Sequence, residues 1–124
     1  MILKKIYKKE IEEALKKIKE NIEKEGFKVS VVHKVHESLK KAGKDLGFKA
    51  YIVEFCNPEL AYKVLNINKE IINFMPCKIV LYENNEEVVV SSFLPIEHLM
   101  EMKNKEIRNI GEEVAQIIKR ILEL

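Results

Sequence analysis

The chain has 124 residues, 47 % of them hydrophobic and 34 % charged, and a net charge of only +2. That length suits one domain, residues 1–124, with one core, and the hydrophobic share excludes a disordered chain. Lysines alternate with glutamates, as in Lys8-Lys9-Glu10-Ile11-Glu12-Glu13. This makes solvated helix faces in place of a one-signed patch, and so argues against a nucleic-acid partner.

Charges interrupt every helical stretch, so no segment is expected to span a bilayer and no membrane partner is expected. Met1-Ile2-Leu3-Lys4-Lys5 has no apolar secretion core, and a cytoplasmic location is expected. Abundant Lys, Glu and Ile and the absence of Trp lean toward a thermophile-like composition with surface ion pairs.

In chain order, Leu3, Ile6, Tyr7, Ile11, Ala14, Leu15, Ile18 and Ile22 follow a 3.6-residue period. They predict one long amphipathic helix over 2–25, ended by Gly26 in a left-handed cap. Phe27, Val29, Val31, His33 and Val35 alternate with polar residues, which predicts a strand with that set turned to the core. A short helix is expected over Glu37–Leu46, closed by Gly47. Phe48–Cys56 is apolar on both faces and reads as an interior strand.

Asn57-Pro58-Glu59 is a helix start: Asn caps, Pro takes the first helical position, and Glu favours the positive dipole end. Asn66-Ile67-Asn68 predicts a break, with Asn68 capping a second short helix through Phe74. Pro76 then opens a strand. Cys77–Glu83 and Glu87–Phe93 are strands joined by a tight turn at Asn84-Asn85. Pro95 begins a short helix, and Asn104 caps a long amphipathic C-terminal one. Gly111 lies inside that helix's apolar stripe, where it costs about 1 kcal/mol against Ala. Close approach of a neighbouring backbone is the expected reason.

The expected fold is α+β, in the order α-β-α-β-α-β-β-α. It has a mixed four-stranded sheet with helices mainly on one face. The uncovered face suggests a homodimer.

Chemistry concentrates at Cys56 and Cys77, the only cysteines. Cys56 precedes a capped helix start, where backbone N–H groups and the dipole favour a thiolate. It also fits a small buried apolar residue. If one crossover helix joins the two strands, they run parallel and the cysteines lie on the order of 23 Å apart. If Asn66–Asn68 reverses the chain, both cysteines share one rim. The candidate ligand-binding set is Cys56, Asn57, Pro58, Pro76, Cys77 and His33. His33 and His36, three apart on a strand, face opposite ways. No metal site and no cofactor is therefore assigned. Ser38-Leu39-Lys40-Lys41 matches Ser-x-x-Lys without its companion motifs and is set aside.

The stretch Cys56-Asn57-Pro58-Glu59-Leu60-Ala61-Tyr62, followed by Met75-Pro76-Cys77-Lys78-Ile79-Val80-Leu81-Tyr82-Glu83, resembles a prokaryotic family, domain of unknown function 302. Gly26-Phe27 and Val35-His36-Glu37-Ser38-Leu39-Lys40 extend the likeness over essentially the whole chain. The resemblance implies a compact α+β domain that tends to self-associate. It implies no reaction. The Cys-Asn-Pro and Pro-Cys pair marks one branch, so cysteine chemistry would belong to that branch.

Two readings follow. One is a small module binding a small ligand or a protein partner without catalysis. The other is thiol or persulfide handling, or redox sensing, with Cys56 as nucleophile and Cys77 as resolving thiol. Whether the chain is an enzyme is left open between them.

Overall fold

A computed structural model describes all 124 residues. It opens with β1 (Ile2–Tyr7), α1 (Ile11–Lys24), β2 (Lys28–Lys34), α2 (Val35–Lys41) and β3 (Ala50–Cys56). Then come α3 (Pro58–Ile67), a 3-10 segment (Lys69–Phe74), β4 (Cys77–Asn84), β5 (Glu87–Phe93), α4 (Ile96–Glu101) and α5 (Lys105–Ile121). The sheet has five strands in the order β1-β5-β4-β3-β2, and every neighbouring pair is antiparallel.

This corrects the expected mixed, four-stranded sheet. The extra strand comes from the first residues of the expected N-terminal helix. Leu3 and Tyr7 are four apart, a spacing that puts two side chains on one face of a helix and also on one face of a strand. Pairing decided between them. β1 lies along β5 with Ile2 opposite Phe93 and Tyr7 opposite Val88, and it satisfies a β5 edge otherwise left open. The helix begins only at Ile11, and Gly26 follows it at φ +84°, where a side chain would be strained.

β2 departs from simple alternation. A bulge between Val29 and Val31 shifts its register against β3, so Val29 and Val32 turn to the core. Val31 and His33 go to the other face instead. His33 is thus half-exposed, with Nε2 3.2 Å from Glu54 Oε1, and not a core histidine. The expected helix over Glu37–Leu46 is observed as α2, which starts earlier and stops at Lys41. His36 is part-buried there. It holds α2 to β3 by accepting the Ala50 N–H at Nδ1, 3.1 Å, and its ring meets Tyr51 edge-on at 5.1 Å. In the β4–β5 hairpin Asn84 pairs with Glu87, so the turn residues are Asn85 and Glu86, with Asn85 at φ 57°.

All the helices pack on one face of the sheet. Alternate residues Tyr51, Val53 and Phe55 of β3, Ile79 and Leu81 of β4, and Val88 and Val90 of β5 meet Ile11, Ile18 and Ile22 of α1 and Ile118 and Ile121 of α5. Each such burial removes a side chain worth about 1.5–3 kcal/mol from water. Asn21 is the one strongly buried amide. Its Nδ2 donates to the Ile121 and Glu123 carbonyls, both at 3.0 Å, and so serves the open C-terminal end of α5. No helix is long and apolar enough to cross a membrane.

Candidate functional site

The β3–β4 connection builds one wall of a cleft. β3 ends at Cys56, and the Asn57 side chain accepts the Leu60 N–H at 3.2 Å, which starts α3 with Pro58 in its first turn. Asn68 ends α3 and caps the 3-10 segment by accepting the Glu70 N–H at 2.9 Å. The chain then returns through a cis Met75–Pro76 peptide into β4, beside the strand it left. The opposite wall is α4 and the first half of α5. Asn104 caps α5 by accepting the Ile107 N–H at 3.0 Å.

Between these walls lies a cleft of about 370 Å³, lined by 25 residues of which 18 are hydrophobic. Phe55 and Ile118 belong to the sheet and helix at its base, Leu60 and Val64 to α3, and Leu99 and Ile110 to the facing helices. A second buried cluster, Val64, Ile71, Ile107 and Ile110, fastens α3 and the 3-10 segment to α5. Gly111 borders the cleft too. A Cβ there would stand 3.1 Å from Leu99 Cδ1, so the close neighbour is a side chain and not the expected backbone.

Phe55 is directly opposite Cys77 in the β3–β4 register. The chain therefore reverses between the strands, and Cys56 and Cys77 sit at the same sheet end, both bordering the cleft. Their side chains diverge. Strand alternation puts Cys77 with Phe55 and Ile79 on the helix-covered face, where it packs on the core, and Cys56 with Glu54 on the other. Both are free thiols. A disulfide needs converging Cβ vectors, which this arrangement does not provide. Burial pushes the Cys77 thiol up to about 11, and the nearby Cys56 adds to the effect. At neutral pH Cys77 is a protonated, largely apolar group.

Of the other residues singled out from the sequence, Asn57 and Pro76 border the cleft. Pro58 only starts α3. His33 is not among the lining residues, because the β2 bulge turns it to the bare face of the strand next to β3. Sequence reasoning missed the α4–α5 wall. Gly111 was the available signal for that wall. No group of three or more His, Cys, Asp or Glu side chains is placed to hold a metal ion.

The model of the family described as "Domain of unknown function DUF302" matches residues 3–124. Among solved structures, the chain is similar to the crystal structure of an uncharacterized conserved protein DUF302 from Bacillus stearothermophilus. The TM-score is 0.89 at 26 % identity, and the match covers 98 % of this chain and 95 % of that one. No curated protein matches.

Proposed function

The chain belongs to the DUF302 family, and on that premise we propose that it is a non-catalytic module that takes a small apolar ligand into the cleft. The observation that carries this reading is a volume of about 370 Å³ walled almost wholly by hydrophobic residues. Cavities of that size and lining are the usual form of small-molecule sites. An engineered apolar cavity of about 150 Å³ holds one benzene, so by proportion this cleft takes roughly 15 non-hydrogen atoms. At about 0.5 kcal/mol per atom, a 12-atom ligand gains about 6 kcal/mol, a Kd of tens of micromolar.

Titration with 1-decanol, followed by NMR, tests this reading. Saturable binding is expected, weakened at least about tenfold by Ala61→Phe, which fills the α3 wall. No saturation up to the solubility limit, or equal binding by a folded Ala61→Phe variant, would refute it.

The second reading, thiol or persulfide handling by Cys56 and Cys77, is supported by the two thiols bordering one cleft on adjacent strands. It ranks below ligand uptake because the proposed resolving thiol is half-buried against the core, protonated and turned away from Cys56.

We also propose that the chain is a homodimer through the bare sheet face. Ile2, Ile6 and Phe93 are 67 %, 50 % and 59 % exposed there. Ile52, Val80 and Tyr82 lie toward the middle of the face, while Lys4, Lys28 and the His33–Glu54 pair lie toward its edges. An apolar centre with a charged rim is the anatomy of a protein interface. Five strands of about six residues present roughly 500 Å² in projection. Side-chain relief brings this toward the ~800 Å² per partner of a standard interface. The expected light-scattering mass is about twice the 14.5 kDa of the chain. Ile6→Glu with Phe93→Glu should return it to one chain. A wild type of one-chain mass would refute the dimer.

A further inference from the structure

Three of the four glycines stand at positive φ, between +78° and +84°, and a Cβ at any of them would meet nothing within 4 Å. Their backbone alone calls for glycine. Gly111 is the reverse case. It lies inside α5, where glycine lowers stability against alanine. Its reason is therefore a neighbour and not the backbone. That neighbour is Leu99 of α4, whose Cδ1 and Cβ would stand 3.1 Å and 3.9 Å from an added Cβ.

Gly111 and Leu99 both border the cleft. Leu99 also packs on the buried cluster of Val64, Ile71, Ile107 and Ile110, while α4 itself has no buried residue. A Leu99 side chain pushed off α5 finds that cluster already filled, and the open direction left to it is the cleft. The missing methyl at position 111 thus lets Leu99 settle close against α5 and keeps its end out of the space a ligand would use.

We infer that Gly111 sets the breadth of the ligand. At its level the cleft admits a ring or a branched hydrocarbon body. A side chain at 111 drives Leu99 inward and leaves room for a straight chain only. The inference rests on the reading of the cleft as a ligand site and adds the shape of what it takes. One methyl turned inward displaces about one ligand carbon, and a buried CH₂ is worth about fourfold in affinity.

The test compares two ten-carbon alcohols, the cage 1-adamantanol and the straight-chain 1-decanol. Both are titrated by NMR into wild type, Gly111→Ala, Leu99→Ala and the double variant, each first checked for cooperative unfolding. Wild type should bind both. Gly111→Ala should bind 1-adamantanol at least about fourfold more weakly, and 1-decanol less than about twofold more weakly. The double variant has no Leu99 side chain to displace, so its affinity for 1-adamantanol should lie within about twofold of that of Leu99→Ala. If Leu99→Ala does not fold, the comparison of wild type with Gly111→Ala decides alone. Wild type binding 1-decanol but not 1-adamantanol, unchanged 1-adamantanol affinity in Gly111→Ala, or the same loss with Leu99 absent would overturn the inference while the apolar cleft stands. A Gly111→Ala chain less stable than wild type would overturn it too, because Leu99 would then have no room to turn. If neither alcohol binds wild type, the cleft reading itself falls.

Discussion

Cys77 offers a stringent test of the cleft's environment. Its thiol is pushed up from 9.0 to about 11, chiefly by burial and then by Cys56. At pH 8 a thiol at 9.0 is about one-tenth thiolate and one at 11 about one-thousandth, so Cys77 should alkylate roughly a hundredfold more slowly on this account alone. The same displacement ties stability to pH. The folded chain holds this proton more tightly than the unfolded chain, so the contribution is complete below about pH 9. It is lost as pH rises from about 9 to 11, and the interval is worth on the order of 3 kcal/mol. Tyr51, Lys5 and Lys49 are also raised and contribute to the same alkaline fall. The measurement is therefore a difference. Urea unfolding of wild type and Cys77→Ala is followed from pH 8 to 11, with peptide mass spectrometry of iodoacetamide labelling at pH 8. The expected result is a shallower alkaline decline in Cys77→Ala and labelling of Cys77 far slower than of a free thiol. Equal slopes, or Cys77 labelling at the free-thiol rate, would refute its core-facing placement.

Gly111→Ala should stabilise the chain by about 0.5–1 kcal/mol, because helix propensity gains about 1 kcal/mol and the 3.1 Å neighbour is a terminal methyl with an open cleft to turn into. Chemical denaturation reads it, and a loss of stability would mean that Leu99 is locked. Asn21→Ala should cost about 2 kcal/mol, since it strips the donor from two carbonyls at the end of α5. A change below about 0.5 kcal/mol in urea unfolding would show that water replaces the amide. Asn57→Ala should cost about 1 kcal/mol through the lost α3 cap. It should also weaken 1-decanol binding, because α3 is a cleft wall; unaltered affinity would contradict that coupling.

The elements whose ends carry explicit chemistry were readable in advance. Asn57, Asn68 and Asn104 each begin a helical segment through a side-chain hydrogen bond. Gly26 ends α1 because few other residues accept its positive φ. What escaped the sequence was decided by pairing. Ile2–Tyr7 satisfies helix and strand periods alike, and only the free edge of β5 selects the strand. The β2 bulge has no local marker, so the expected core face of Val31 and His33 was inverted. The cleft was half visible. The cap and the two prolines flagged its β3–β4 wall, whereas the α4–α5 stripe looked like ordinary core packing.

The central claim is that the space between α3 and the α4–α5 wall accepts an apolar molecule. Methyl NMR of the wild-type protein with 1-decanol locates such a molecule directly. Saturable shifts centred on Leu60, Val64, Leu99 and Ile110 are expected. Shifts centred on Ile6, Val80 and Val89 of the bare sheet face, or none at any site, would contradict the account.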